Sequence, residues 1–423
     1  MIFKMTGMIT SLKNMSHTEK LLLLSVFFLT SFNVVSLICW ILIVLISFSN
    51  SQSRIKLRSM FPNPVYFLFI LLYVFYLVGM LWTENTALGL EDLRIKIPLI
   101  LFPLLFTVID LKESSLLNVR ISLVYGCLFS IIYCFVISAI RFSGDHQIGN
   151  FFYTGFSHLM HPTYFTMYIN LAVLMLLDGW LRGIEIPLKK KIGNGVLLFI
   201  FISAVIVLSA RLAMVTAFFT IAVFVGLEAL KQKNFKKLFP VGTIGVVSIV
   251  LLSYFFIHLN NRFTQITDVI EKKADPTALK DTVNNVSYNS TTIRIGLLKN
   301  GLAIFKEHPW IGVGTGDVIP ESVKKLNDEG LHVLALKSKG PHNQYLQTAV
   351  TLGVFGLFVL IMCIGWPLIE FLKAKEFLFA SFMMIVFFNA IGDTVLRASS
   401  LYFFTFFTCF FYRYYLSFTL KKV

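Results

Sequence analysis

Long apolar runs separated by short polar stretches make up most of the chain. About twenty apolar residues cross a bilayer as a helix, so the pattern predicts about twelve transmembrane helices. Residues 20–32 and 34–49 are interpreted as a pair of spans, although only Ser31-Phe32-Asn33 interrupts what could be one helix. Residues 195–229 are divided at Arg211, because a single helix of that length would measure about 52 Å. The pattern therefore predicts an all-α polytopic membrane protein.

Basic residues recur in alternate short loops. These are Lys4, Lys13 and Lys20, then Arg54/Lys56/Arg58, Lys112/Arg120, Arg182/Lys189/Lys190/Lys191, Lys231/Lys233/Lys236/Lys237, Lys373/Lys375 and Lys421/Lys422. Because short cytoplasmic loops carry excess lysine and arginine, both termini are predicted to be cytoplasmic. Merging the first pair of spans would instead place the N-terminus outside.

This topology divides the chain into three parts. Residues 1–258 are predicted to form an N-terminal bundle of about nine spans, residues 259–342 a large periplasmic loop, and residues 343–423 three further spans. Within the loop, residues 291–306 have helical spacing of apolar side chains, with Thr292 as a plausible N-cap. We expect a short helix lying against the membrane surface.

Composition supports the membrane class. The 423 residues are 57% hydrophobic and 14% charged, whereas soluble domains are about a quarter charged. The net charge of +15 does not indicate nucleic-acid binding, because the basic residues lie in short loops rather than in a soluble domain. All five cysteines lie in apolar runs, so no disulfide and no metal site is expected.

The segment HPWIGVGTG contains Gly312, Gly314 and Gly316. It lacks the GK[ST] ending of a nucleotide-binding P-loop and follows no predicted strand, which favours a tight turn. Alternatively, the glycines would let backbone amides approach a phosphate or a sugar.

His342 follows Gly340-Pro341 and precedes Asn343 at the start of a long apolar helix near residues 343–371. A boundary histidine can simply bond to a neighbouring carbonyl. It can also act as a general base, because imidazole titrates near neutral pH. No spacing indicates a hydrolase triad or a metal motif.

Four cations are predicted at the outer boundary, namely Arg211, Arg294, Lys96 and Arg94. Arginine at such a position either extends to the interface or is compensated by an anionic ligand. Together the four would form a pyrophosphate site. His158, His161 and Tyr164 precede or begin the sixth span, where a structural or substrate-lining role is expected. Asp393 and Arg397 are expected to pair with each other.

The motifs HPWIGVGTG, HNQYLQ followed by GxxG from His342 to Gly356, LSARLAMV and HPTYFTMY resemble those of the O-antigen ligase/polymerase superfamily. The resemblance implies an inverting GT-C-type glycosyltransferase that needs neither metal nor cofactor. Its donor would be a glycan on undecaprenyl pyrophosphate, and its acceptor a hydroxyl of a lipid A–core sugar or another glycan. The reaction would take place among membrane lipids, at the periplasmic face of the bacterial inner membrane.

By position, His342 matches the family's proposed general base, and Arg211 and Arg294 match arginines that hold the pyrophosphate. Lys96 matches a basic position with a similar role, although Arg94 stands where the family often has an acidic residue. Substrate contacts are also expected from Asn343, Gly314, Gly316, His161 and Tyr164.

Three enzyme activities share these motifs: ligase, polymerase and protein O-oligosaccharyltransferase. Ligase is preferred because the single outer loop with its His-Asn boundary suits that branch. A transporter or flippase is the alternative from another class, but it would predict related halves and ionisable residues near the bilayer midplane. The sequence shows neither feature, and it leaves the oligomeric state open.

Overall fold

The computed structural model describes residues 15–49, 63–181, 188–233, 290–336, 338 and 340–420. These residues form fifteen α-helices. The helices are α1 His17–Phe28, α2 Asn33–Phe48, α3 Pro64–Val78, α4 Thr86–Ile95, α5 Pro98–Val108, α6 Ser115–Asp145, α7 Pro162–Leu181, α8 Leu188–Val207, α9 Arg211–Gln232, α10 Ser290–Glu307, α11 Val318–Asp328, α12 His332–Leu336, α13 Gln344–Lys373, α14 Phe377–Gly392 and α15 Ala398–Tyr414. The predicted ninth span, near residues 238–258, lies outside the described residues.

Five of the helices are long and apolar enough to cross a membrane. They are α3 with its 3₁₀ extension (Pro64–Trp82), α6, α7, α9 and α13, and three shorter apolar helices accompany them. The protein is therefore a helical, multi-pass membrane protein, as the apolar runs predicted. The count of twelve spans, the placement of the termini and the three-part division of the chain stay predictions.

Helix α7 lies at the centre of the bundle. Of its 18-residue apolar stretch, 94% is buried inside the protein, against 44% for the corresponding stretches of α6, α9 and α13. A helix that is apolar all round needs neighbours on every side, and α7 packs against α6, α8, α9 and α14. The partly buried helices keep an apolar face for lipid.

Two predicted helix breaks are confirmed. Helices α1 and α2 are separate and pack against each other, so residues 20–49 are not one continuous helix. Helices α8 and α9 are separated before Arg211, where Ser209 takes a left-handed conformation with φ 48°. Helix α10 was also predicted, but it begins at Ser290, so Thr292 lies inside the helix and is not its N-cap.

The two ends of the bundle differ in character. At one end, the Lys112 ammonium bonds to the Glu19 carboxylate at 2.9 Å, and Lys231 donates to the Lys375 carbonyl at 2.8 Å. The basic end of α9 and the basic loop between α13 and α14 therefore meet at this end. The opposite end, where α7, α9 and α13 begin and α14 finishes, holds His342 and is called the site end below.

Helix α13 differs from the single long helix that the sequence predicts. Gly353 is not helical (φ 68°, ψ −165°), and this residue divides α13 into two segments. Residues of HPWIGVGTG fill the break: Val313 and Gly314 donate to the carbonyls of Val350 and Thr351, at 2.9 and 3.1 Å. The amide of Val354 donates to the Pro309 carbonyl at 2.8 Å. Backbone groups released by the break are thus satisfied by the glycine segment.

Candidate functional site

A tight turn presents His342 at the site end. Gly340 has φ 93° and His342 has φ 51°, so both occupy the left-handed region. Asn343 then caps α13, because its Oδ1 accepts from the Leu346 amide at 2.9 Å. The left-handed region is uncommon for residues other than glycine and is often found at functional sites. The turn, rather than the helix, sets the direction of the imidazole.

Asp393 lies between two histidines. Its Oδ1 is 3.9 Å from His342 Nδ1, and its Oδ2 is 3.8 Å from His161 Nδ1. The expected pairing of Asp393 with Arg397 is wrong, since no ion pair joins these two residues in the described part of the chain. Asp393 directly follows α14, and the fold brings that position against the starts of α7 and α13.

The carboxyl group of Asp393 is held in its charged form. Burial would raise its pKa, but the His342 side chain, the Thr394 amide that bonds to Oδ1 at 2.8 Å and the charge of His161 outweigh burial and lower it. Burial also lowers the pKa of His161, with the charges of Arg294 and His342 adding to this effect against the attraction of Asp393. The site therefore pairs a buried carboxylate with imidazoles.

Arg294 and the start of α9 lie near Gly392, the residue before Asp393. Arg294 of α10 donates from Nη1 to the Gly392 carbonyl at 3.4 Å. Arg211 begins α9, and the next residue, Leu212, packs so closely that a Cβ on Gly392 would lie 2.1 Å from Leu212 Cδ2. The structure thus brings Arg294 to the histidine cluster and the start of α9 to the same glycine.

Tyr164 and Asn343 support the cluster through hydrogen bonds to its backbone. The Tyr164 hydroxyl donates to the Thr394 carbonyl at 3.1 Å, and Asn343 Nδ2 donates to the Ile391 carbonyl at 2.9 Å. Both bonds fix the segment around Asp393. Substrate contacts by either side chain stay predictions.

The glycine segment has internal partners. Gly314 donates to α13 as described above, and Gly316 donates to the Thr83 hydroxyl at 3.4 Å. Asp317 continues the segment by accepting from the amides of Glu84 and Asn85 at 2.8 and 2.9 Å. These bonds favour the turn interpretation, and a substrate contact by Gly314 stays a prediction. Gly316, however, borders a cavity.

That cavity, of about 100 Å³, adjoins the cluster and contains Lys96. The Lys96 ammonium is buried, bonds to Asp92 at 2.5 Å and lies 4.2 Å from the centre of the Tyr76 ring. Arg397 is also in the cavity lining, whereas Arg94 is exposed and lies outside it. The predicted cations therefore do not converge: Arg294 contacts Gly392, Lys96 lines the cavity, and Arg94 is exposed outside it, while Arg211 begins α9, whose second residue packs against Gly392.

The sequence analysis did not predict that Asp393 lies beside His342 and His161. The residue is separated from His342 by 51 positions, and only the packing of α14 against α13 brings the two together. The one available signal was a lone acidic residue between two apolar runs at the predicted outer face. His158, grouped with His161 in the sequence, instead contacts Ser138 of α6 at 3.2 Å.

Comparison with known proteins covers part of this site. A family model described as O-antigen ligase matches residues 196–361, a stretch that includes Arg211, Arg294 and His342. A search of curated proteins found no match. The family match confirms the resemblance that the motifs predicted, over residues 196–361: this stretch is similar to the O-antigen ligase family, whose members are membrane glycosyltransferases.

Proposed function

We propose that the protein is an O-antigen ligase-like glycosyltransferase. It moves a glycan from undecaprenyl pyrophosphate to a hydroxyl of a lipid A–core sugar, at the periplasmic face of the inner membrane. The observation that carries the proposal is the His342–Asp393–His161 cluster with Arg294 beside it, at the edge of the family domain. The basic loops at the opposite end of the bundle support a periplasmic orientation for the site.

In this mechanism His342 is the general base. An imidazole whose Nδ1–H faces the Asp393 carboxylate presents Nε2 as the proton acceptor. Nε2 takes the proton of the acceptor hydroxyl while the oxygen attacks the anomeric carbon. Asp393 stabilises the imidazolium that forms, in the way that an orienting carboxylate supports a catalytic histidine.

The arginines act on the leaving group. As the bond between the anomeric carbon and the phosphate oxygen breaks, negative charge grows on undecaprenyl pyrophosphate. Arg294 and Arg211 neutralise that charge, and a guanidinium suits phosphate because it offers paired donors. Attack and departure occur on opposite faces of the sugar in a single displacement, so the configuration at the anomeric carbon is inverted.

The test is lipopolysaccharide profiling of a deletion strain complemented with the wild type or with His342→Asn. Asparagine tolerates the left-handed conformation but cannot act as a base at neutral pH, so the variant should fold. We expect the deletion strain to carry bare core together with undecaprenyl-linked glycan, and only the wild type to restore the ladder. Loss of a general base should slow transfer by about 10²–10⁴-fold.

The matched control is His308→Asn, an exposed histidine on the glycine segment. This variant should restore the ladder fully. Core capped with single repeats in the deletion strain would identify a polymerase instead. An unchanged ladder would refute the ligase assignment and direct the search to protein glycans. Full complementation by His342→Asn would refute the role of the base.

A further inference from the structure

The glycine segment exposes two large apolar side chains. Trp310 is 66% exposed and Ile311 is 54% exposed. The next residue, Gly312, is buried, and a Cβ on it would lie 2.4 Å from the Thr351 carbonyl oxygen. The segment therefore packs its glycine backbone against α13 and leaves the side chains of Trp310 and Ile311 at the surface.

This exposed pair continues an apolar face of α13. The rings of Trp310 and Phe355 are in contact, with centroids 6.3 Å apart. Phe355 is 54% exposed, and Phe358, about one turn farther along the helix, is 60% exposed. Because α13 is long and apolar enough to cross a membrane, its exposed apolar face is the face that lipid covers. Trp310 and Ile311 extend that face at the break in the helix.

The break in α13 sets the depth of the pair in the membrane. The 30 residues of α13 measure about 45 Å as a helix, which matches a bilayer with its headgroups. A Cβ on Gly353 would lie 2.0 Å from the Trp310 carbonyl oxygen, so the two residues are at the same level. Gly353 is about 14 Å from the start of the helix, whereas a headgroup layer is only about 5–8 Å thick. Trp310 is therefore at the level of the acyl chains.

The residues just before the pair are polar. Lys306, Glu307 and His308 are exposed, and Glu307 forms an ion pair with Lys325 of α11 at 2.5 Å. The exposed surface thus changes from charged to apolar between His308 and Trp310, as expected where a chain passes from water into a membrane. Tryptophan is enriched at this boundary because its large apolar ring carries one polar N–H.

The backbone of the glycine segment is suited to this depth. Irregular backbone is tolerated within a membrane only where it is buried in protein and its polar groups have partners. The bonds across the break in α13 provide such partners, and the Gly312 amide donates to the His308 carbonyl at 3.2 Å. The segment can therefore lie within the membrane beside α13, although the sequence analysis assigns residues 259–342 to a periplasmic loop.

We propose that Trp310 and Ile311 insert into the bilayer and contact the acyl chains of lipids beside Phe355. This contact anchors the glycine segment, and with it the first part of α13, in the leaflet at the site end. The inference goes beyond the proposed transfer reaction and does not depend on it.

The test is spin labelling of Ile311→Cys, with His308→Cys, earlier on the same segment and exposed, as the matched control. Each protein is labelled with a nitroxide and reconstituted into vesicles of phosphatidylethanolamine and phosphatidylglycerol, without any glycan donor. The five native cysteines are buried, and wild type carried through the same labelling supplies the background signal. We expect the ratio of oxygen to nickel-chelate collision rates to be about tenfold higher at position 311 than at position 308, because acyl chains exclude a polar chelate.

Two other results would overturn the inference. Equal ratios at the two positions would show that Ile311 lies in water. A label at position 311 that is immobilised and shielded from both oxygen and the chelate would show that protein covers this surface, as in contact with a second copy of the chain.

If Ile311→Cys fails to fold, vesicles with brominated acyl chains provide a second measurement. Bromine quenches tryptophan fluorescence on contact. At equal protein concentration, the fluorescence lost on changing to brominated lipid should be larger for the wild type than for Trp310→Tyr. An equal loss in the two proteins would also overturn the inference.

Discussion

Asp393→Asn is the substitution that tests the proposed mechanism most directly. The change removes the charge of the carboxylate and retains an oxygen that can accept from the Thr394 amide. In the wild type, Asp393 Oδ1 is 3.9 Å from His342 Nδ1. If the carboxylate stabilises the imidazolium formed during transfer, then its loss should slow the chemical step. Binding of the donor should change little.

The magnitude follows from the distance and the exposure of the pair. Two unit charges at about 4 Å interact by about 4 kcal/mol at an effective dielectric constant near 20. Asp393 is buried, but the His342 side chain is 30% exposed, and solvent screens part of the interaction. Half of the full value, about 2 kcal/mol, corresponds to a fall in kcat of roughly 30-fold.

The assay is single-turnover transfer with saturating donor, on Asp393→Asn, His342→Asn and the double variant. Because Asp393 acts through His342, the double variant should be no slower than His342→Asn alone. Size-exclusion profiles in detergent check that each variant is folded. Wild-type kcat in Asp393→Asn, or effects of the two substitutions that multiply, would refute the reasoning.

Three further predictions follow from the surrounding residues. Arg294→Gln should lower kcat/KM for the donor by roughly 10–100-fold through loss of a charged hydrogen bond. The control Lys299→Gln, at an exposed position on the same helix, should leave kcat/KM for the donor unchanged. Equal effects of the two substitutions would argue against a phosphate contact by Arg294. The pKa of His161 is lowered from its usual 6.5 in the folded protein, so the unfolded chain binds more protons on acidification. The contribution of His161 to the free energy of unfolding is therefore fully present above about pH 6.5 and is lost as the pH falls through the folded pKa. Thermal unfolding from about pH 8 to about pH 5 should show this loss, and His161→Asn should reduce it; an identical profile would contradict the prediction. Gly353→Ala should lower the free energy of unfolding by about 3 kcal/mol, because its Cβ would lie 2.0 Å from the Trp310 carbonyl oxygen. The control Gly365→Ala has open space around it and should be neutral or slightly stabilising in thermal unfolding.

Apolar periodicity predicted most of the helices, because a membrane-spanning helix must be apolar over its whole length. The breaks at Ser31-Phe32-Asn33 and before Arg211 were found for the same reason, since a continuous helix would exceed the bilayer. Thr292 was wrongly predicted as an N-cap, because the sequence fixes the start of a helix only to within one or two residues.

Candidate site residues could be predicted from the sequence only where a single reactive side chain stands in a recognisable motif. His342 and Arg294 were singled out in that way, and the structure places His342 beside Asp393 and Arg294 beside Gly392, while their roles stay predictions. The proximity of Asp393 to His342 could not be predicted, because 50 residues lie between the two and no local pattern encodes the packing of α14 against α13. Lys96 was singled out as a cation, but its pairing with Asp92 was not predicted, although an acidic residue four positions earlier is a local signal for an ion pair on a helix.

The break at Gly353 explains why the two most distinctive motifs occur together. A continuous α13 would bond the carbonyls of Val350 and Thr351 inside the helix and would leave the glycine segment without acceptors. In the observed arrangement, residues 309–314 supply the missing donors and accept from Val354. The short first segment of α13, which begins two residues after His342, is therefore held in place by the glycine segment as well as by its own helical hydrogen bonds. A motif that resembles a phosphate-binding loop by composition thus serves to position the proposed general base, and a substitution at Gly353 should impair transfer through the orientation of His342 as well as through stability.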